Sequence, residues 1–527
     1  MKIYFLILIA LTLYLKCEAQ TGSLPFTIDI EEIDSSIADL PAMHSFAFAK
    51  SGSRWLILTG RAEGLHGFST NNSFEAAYAN SNVWVIDTAA WLVYSMPVDS
   101  LDSVYHALLR TTNTEYYQEG NHLFILGGYT WEASSGFYTA PTIVSIDVDE
   151  MINAVIAQSP SLAMQQIRNT MDTVAAVAGG KLMKLGNDFY LVMGHRFDGL
   201  YNQQFVIYTQ TYTEAFRKFN IVDNGTTVSI SNYSYLKDTA NFHRRDLNVE
   251  YYMDANLNMG IAAYGGVFRK NQDWPFLNPV FFDGTNYSVD TFQQKMSQYT
   301  CPVVSAFDST TKNMYQIFFG GIGLYNYNDT LQQLLLDSLV PFTDDITVQL
   351  RRADGSIADT MLGLKMPGLL GANMNFISSE GGSLFDHGIY NLREMNGRKM
   401  IGYLYGGIRA TQPNAGLSAA NGKIYRVYLN VDFATDTTTD TTFVHELSAE
   451  SIKVYPNPAN QKLFVRGYPL LVNEITITDV LGRNCILPIT NNNNPITEIN
   501  ISKLSPGVYT LTIRNKNGTW IKKVVKE

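Results

Sequence analysis

Between Leu24 and Asp432 the hydrophobic positions gather into short, nearly unbroken apolar runs that end in glycine. Six recur: Trp55–Gly60, Leu123–Gly128, Phe189–Gly194, Ile261–Gly266, Tyr315–Gly321 and Ile401–Gly407. Runs this short, rich in β-branched and aromatic residues and stopped by glycine, predict strands. A polar insertion follows each, and then in several copies a second run, as in Asn82–Asp87, Thr142–Asp147, Pro279–Asp283 and Lys423–Tyr428. Asp87, Asp147, Asp283 and Asp308 stand at strand ends, where short carboxylates satisfy nearby backbone donors, so they are expected to form turns. Two dipeptides predict hairpins. Asp354-Gly355 would join Thr347–Arg351 to Ser356–Met361, and Asn396-Gly397 would join Gly388–Glu394 to the last glycine strand. Helix is expected only near Asp149–Ala157.

A glycine-terminated second strand and an aromatic-x-Asp third strand, repeated six times, resemble the kelch family of β-propellers, whose period is about 50 residues. The copies are degenerate: Thr59 stands for the first glycine of its pair, and His195 for the second of its own. The glycines are expected where backbones crowd near a central channel. The resemblance implies a six-bladed ring over residues 20–432. The alternating segment Phe26–Ile30 would supply the outer strand of the last blade, beside Lys423–Tyr428, and close it.

The two ends of the chain carry an address. Met1-Lys2, the apolar run Ile3–Leu15 and the small-residue pattern Cys17-Glu18-Ala19 predict a secretory signal peptide over residues 1–19. Residues 433–449 are rich in Thr and Asp and read as a linker. Beyond it, short alternating segments from Ser451 to Val525 predict a small antiparallel, Ig-like β-sandwich over 450–527. There Tyr455-Pro456-Asn457-Pro458-Ala459, Asp479-Val480-Leu481-Gly482-Arg483, Ile501–Tyr509 and Lys522-Lys523 resemble the C-terminal sorting domain of type IX secretion cargo from Bacteroidota. That resemblance implies export through the periplasm, recognition by the outer-membrane translocon, and release or attachment at the cell surface.

Composition narrows the partners. Only 16% of the 527 residues are charged and the net charge is −10. Phosphate neutralisation requires clustered Lys and Arg, so nucleic acid is not an expected partner. No later segment has the roughly 20 apolar residues of a membrane span. Of the three cysteines, Cys301 and Cys485 would remain after cleavage, too few for a disulfide framework. Metal-site and hydrolase signatures of the CxxC, HExxH and GxSxG types are absent, and no metal or cofactor is expected. The chain is expected to be a monomer.

Candidate chemistry lies in the insertions. In a blade the loops between second and third strands share one face with the connections entering the next blade. Arg61, Arg196, Arg269 and Arg409 follow glycine strands, with His66, Trp131, Phe137, Tyr138, Phe197, Tyr201, Trp274 and Tyr325 in the same insertions. His44, His243-Arg244-Arg245-Asp246, Tyr299 and His387 precede inner strands. Guanidinium forks hold carboxylates and aromatic faces stack on sugars. The expected ligand-binding set is Arg61, His66, Arg196, His243, Arg269, Trp274 and Arg409, on one mouth of the ring. The bland alternative pairs each arginine with a local carboxylate such as Glu63, Asp198, Asp273 or Asp246. Binding of a glycan or protein is the leading function; a carbohydrate-active enzyme resembling the sialate-mutarotase kelch proteins is the alternative. His243 with Asp246 would be its acid–base candidate, and no residue is assigned to catalysis. N-terminal sequencing of the exported protein is expected to begin at Gln20; a start outside Glu18–Gly22 would remove the signal-peptide reading.

Overall fold

The computed structural model describes residues 24–433, except 34–36, 68–72, 203–206, 296–299, 329–330, 332 and 415. It also describes 453–527, except 467–473, 480–482, 486–488, 491–495 and 516–517. The signal peptide, the linker, Tyr299 and the motif residues Val480–Gly482 lie outside the described residues. The chain divides into two compact units, Met1–Phe433 and Ala434–Glu527.

The first unit is all-β and built of six blades: four are antiparallel meanders of four strands, the fifth adds a short parallel fifth strand, and the sixth takes its outer strand from the N-terminus. In chain order the inner strands are Ala47–Ser51, Glu115–Glu119, Lys181–Leu185, Asn248–Met253, Val303–Asp308 and Met374–Ser378. Residues of all six line one central channel, making the unit a six-bladed propeller. The ring closes as the alternation near the N-terminus predicts. Phe26–Glu32 pairs antiparallel with Ile424–Val431, Phe26 opposite Val431 and Glu32 opposite Tyr425. Phe26 and Ile28 alternate inward with Thr27 and Asp29 outward, so a one-residue slip would expose the apolar pair.

Glycine chemistry joins the blades. The first residue of every glycine pair is left-handed, with φ from 56° to 74°, and includes Thr59 and Met193. The second runs from 84° to 103° and is glycine in all six copies: Gly60, Gly128, Gly194, Gly266, Gly321 and Gly407. Side chains tolerate the first range at some cost but not the second. This corrects the register of the third copy: its pair is Met193-Gly194, and His195 begins the following strand. The second glycine of four blades donates its N–H to the next blade, Gly60 to Thr111, Gly128 to Val177, Gly194 to Arg244 and Gly407 to Met43, at 2.7–2.9 Å. Two residues beyond each acceptor sits another left-handed residue, Ser45, Asn113, Gly179 or Asp246, and blade 6 has Asn373. These link again, Asp246 N–H to the Gly179 carbonyl, Gly179 to Asn113, Ser45 to Asn373 and Asn373 to Thr300.

Two local expectations change. Asp354-Gly355 makes its hairpin, with Arg351 opposite Ile357. Asn396-Gly397 does not: residues 386–394 form two 3₁₀ turns around a two-residue strand that pairs parallel with Val303–Asp308. The partner of Gly397–Gly406 is Met374–Ser378 instead. The expected helix is Val148–Ile156, capped by the Asp147 side chain accepting from Glu150 N–H and burying Val148, Met151, Ile152 and Val155. Two short helices lie outside that expectation, His106–Leu109 and Pro160–Gln165, the latter with proline in its first turn.

The C-terminal unit stacks two four-stranded sheets. One holds Lys453–Tyr455, Lys462–Arg466 and Ile496–Asn500, the other Glu474–Asp479, Gly507–Asn515 and Gly518–Lys526. Leu463, Val465, Ile477, Ile499, Leu511 and Ile513 fill the space between them.

A Cβ on Gly127 would lie 2.1 Å from the Val177 carbonyl of the next blade, whereas one on Gly120 would meet nothing within 4 Å. Both are left-handed, at φ 62° and 56°. Gly120→Ala is expected to cost about 1 kcal/mol and Gly127→Ala several times more, read from denaturant midpoints. Equal losses would show that the inter-blade contact is not tight.

Candidate functional site

The loops between second and third strands rise on one face. Three are hairpins: Tyr129–Glu132 with Gly136–Thr139, His195–Asp198 with Thr209–Tyr212, and Tyr325–Asn328 with Gln333–Leu336. Blade 6 adds a three-stranded sheet from Leu369–Leu370, Ile408–Ala410 and Ser418–Ala420.

In five of the six copies the residue after the glycine pair bridges the segment leading into its own inner strand; in the fifth blade that residue, Ile322, pairs with Phe342 instead. Arg61 bridges His44, Tyr129 bridges Thr112, His195 bridges Ala178 and Val267 bridges Arg245, while Ile408 N–H reaches the Ala372 carbonyl. Strand alternation then sorts the predicted arginines. Arg61 occupies the bridging position, Arg196 and Arg409 the next one with the opposite orientation, and Arg269 the third. Arg61 is buried, 5% exposed at its side chain, and Arg196 is 53% exposed.

Arg61 donates to Glu63 at 2.5 Å and to the Glu75 carbonyl at 2.7 Å. Arg196 pairs with Asp198 at 2.6 Å. Arg269 Nε reaches the Pro275 carbonyl at 3.0 Å, and Arg409 the Pro367 carbonyl at 3.1 Å. The backbone of Trp274 is fixed in the same loop, its N–H bonded to Gln272 and its carbonyl to Arg269 N–H. His243 accompanies Glu214, Nδ1 to Oε1 at 2.8 Å, and Asp246 is held by Arg245. The expected His243–Asp246 acid–base pair is therefore not formed.

One feature gathers residues from four consecutive blades. His66 stacks on Phe74 with ring centroids 4.1 Å apart and meets Tyr201 edge-on at 5.1 Å. Phe74 contacts Tyr129, which contacts Phe197, and Phe197 stacks on Tyr208 at 4.6 Å. From Phe197 the rings continue through His195 and Tyr212 to His243, the last pair stacked at 3.7 Å. Phe137 stacks on Tyr129 from outside. Of the predicted ligand set, His66 and His243 form the two ends of this ladder.

The electrostatics beside the ladder come from residues that sequence reasoning did not choose. Burial, then the nearby charge of Arg61, depresses the His44 imidazole to about 3. Burial depresses His66 to about 4, aided by Arg245 and Arg61, and lowers His195 well below its ordinary value, aided by Arg245. All three are neutral at physiological pH, hydrogen-bonding groups rather than charges. Aligning the six copies on the second glycine would have pointed to His44, His195 and Arg245, because each lies beside that landmark or on its bridge partner.

Cys301 is buried and its thiol is pushed up to about 12 by burial, so it is a packing residue. Asp87, Asp283 and Asp308 accept backbone N–H bonds within their turns. Among the described residues no cluster of three His, Cys, Asp or Glu could hold a metal.

Residues 453–527 match the family model described as the secretion system C-terminal sorting domain. The C-terminal unit carries a secretion sorting domain. This sorting domain marks the chain for handling by type IX secretion machinery and for a secreted or cell-surface destination. No helix among the described residues is long and apolar enough to cross a membrane. None of the curated proteins matches the chain. Among solved structures, that of YjhT is similar at 11% identity, covering 76% of this chain and 98% of the other with a TM-score of 0.41.

The His44 shift gives a pH dependence. The unfolded chain takes up the proton near 6.5 and the folded one only near 3, so stability present above 6.5 is lost as pH falls, by about 2 kcal/mol at pH 5. Glu115, buried and raised well above its ordinary value by burial, works oppositely, losing stability as pH rises. His44→Gln is therefore compared with the parent at each pH: the difference between its melting points at pH 7.5 and pH 5 is expected to shrink. An unchanged difference would show that His44 titrates normally.

Proposed function

We propose that the first unit is a kelch-type propeller, delivered by a cleaved signal peptide and the sorting domain, that binds a glycan through its loop face. The proposed boundaries are 1–19 for the signal peptide, 20–432 for the propeller, 433–449 for the linker and 450–527 for the sorting domain. The ring ladder from His66 to His243 carries the reading. Tyr129 and Phe197 are buried and support the half-buried rings of Tyr201, Tyr208 and Tyr212, which on a rigid scaffold suit the apolar faces of sugars. The neutral imidazoles of His66 and His195 stand among those rings to bond sugar hydroxyls. The face also suits an acidic sugar. Among the described residues Arg269 bonds a backbone carbonyl and no carboxylate, so with Trp274 beside it this guanidinium is the group for a ligand carboxylate. Arg61 and Arg196, each paired with its own acid, hold their loops in shape. Arg409 ties blade 6 to Pro367.

The intact chain is screened against neutral and acidic glycans, with acidic peptides as the competing ligand class, and hits are titrated by calorimetry. Tyr201→Ala and Tyr212→Ala are each expected to weaken glycan binding roughly 3- to 10-fold, the worth of one stacked ring, with melting points held within a few degrees. Arg269→Ala should weaken acidic glycans alone. If no glycan binds, if a peptide binds instead, or if the tyrosine variants bind like the parent, the reading fails.

A further inference from the structure

The channel enclosed by the six inner strands contains a cavity of about 370 Å³. At about 30 Å³ for each liquid water, that is room for a molecule of amino-acid size with a few waters. Much of its wall is neutral, made of amides, hydroxyls and rings. Asp246 at the mouth is held by Arg245, and His387 at the other end stacks on Tyr251 at 4.2 Å. Between them two oppositely charged side chains line the space, Lys181 on blade 3 and Glu250 on blade 4.

The Lys181 ammonium lies over the Tyr116 ring of blade 2, 5.3 Å from its centroid. That ring is fixed because its hydroxyl donates to Asn375 Oδ1 at 2.9 Å, across the front of blade 1. Glu250 is near enough to act electrostatically on Tyr116, two blades away, and on Cys301 of the next blade. Burial pushes its carboxyl up to about 7, opposed by Lys181. Yet Lys181 and Glu250 form no ion pair with each other, and neither pairs with another charge among the described residues. A carboxylate and an ammonium face one space without closing it. Glu250 bears the cost of leaving bulk water, and a bridging molecule that brings an ammonium to it and a carboxylate to Lys181 offsets that cost.

We infer that the channel binds a small zwitterion of the amino-acid class, its carboxylate on the Lys181 ammonium and its ammonium on Glu250, above the Tyr116 ring. This site is independent of the glycan reading, since the ladder and the Lys181–Glu250 space share no side chain.

Calorimetry of the intact chain with glycine, β-alanine and γ-aminobutyrate tests it, with acetate and methylamine as single-charge controls. One length of the series is expected to bind at least 10-fold more tightly than either control, and that length measures the gap. Lys181→Met and Glu250→Gln are each expected to remove this preference. The inference is overturned if no zwitterion exceeds the controls, if acetate alone matches the series, or if both variants keep the preference. The comparison of ligands on the parent protein needs no variant, so misfolding of either variant leaves the test intact.

Discussion

The ring rests on backbone hydrogen bonds passed from blade to blade through residues held in the left-handed conformation. Hydrophobic packing between blades is extensive but non-directional and tolerates sliding. A donor such as Gly128 N–H aimed at the Val177 carbonyl does not. Gly60, Gly194 and Gly407 repeat that arrangement, so four of the six blades are indexed to the next at a fixed height. The second glycine is invariant across the six copies because its φ is beyond the range side chains accept. The first is variable because its φ is not: Thr59 meets the cost by accepting a bond from Ala47 N–H at 3.0 Å.

That indexing is what gives the loop face a defined shape. The hairpin bases at Tyr129, His195 and Ile408 and the loop bases at Arg61 and Val267 all begin one residue past the indexed glycine. Side chains from insertions far apart in sequence therefore arrive at one level. Rings from His66, Tyr129, Phe197, Tyr212 and His243 can meet in a chain of contacts only under this condition. The charges are arranged to compensate one another locally, with Arg61 on Glu63 and Arg245 on Asp246. Loop order and charge balance are thus achieved by the same pairs.

The fold was largely legible because its strongest rules, buried apolar runs stopped by glycine at forbidden φ and the period-two burial of the N-terminal strand, are written in single residues. The closing strand Phe26–Glu32 was readable for the same reason. Failures occurred where the deciding partner is distant in sequence. Asn396-Gly397 has hairpin chemistry, but the strand beside Gly397–Gly406 comes from Met374–Ser378 instead of the residues just before it. The site was less legible than the fold. Spacing brought four arginines near glycine pairs, yet one residue of offset turns Arg196 and Arg409 away from the direction of Arg61. Lys181 and Glu250 gave no local signal at all, since only the curvature of the ring sets an inner strand of one blade opposite that of another.

The strand Phe26–Glu32 is among the first segments of the propeller to be made, and its partner Ile424–Val431 is the last. Blade 6 therefore stays one strand short until nearly the whole propeller has been synthesised or has emerged from a translocation pore. Blades 1 to 5 can assemble in sequence, but the circle has no stable intermediate that is both closed and incomplete. Since the sorting domain follows the closing strand in the chain, a molecule carrying the export signal also carries everything needed to close the circle. A chain cut before Ile424 lacks the sorting domain and the partner of Phe26–Glu32 together, whereas one cut after Val431 keeps the closed circle and loses only the sorting domain.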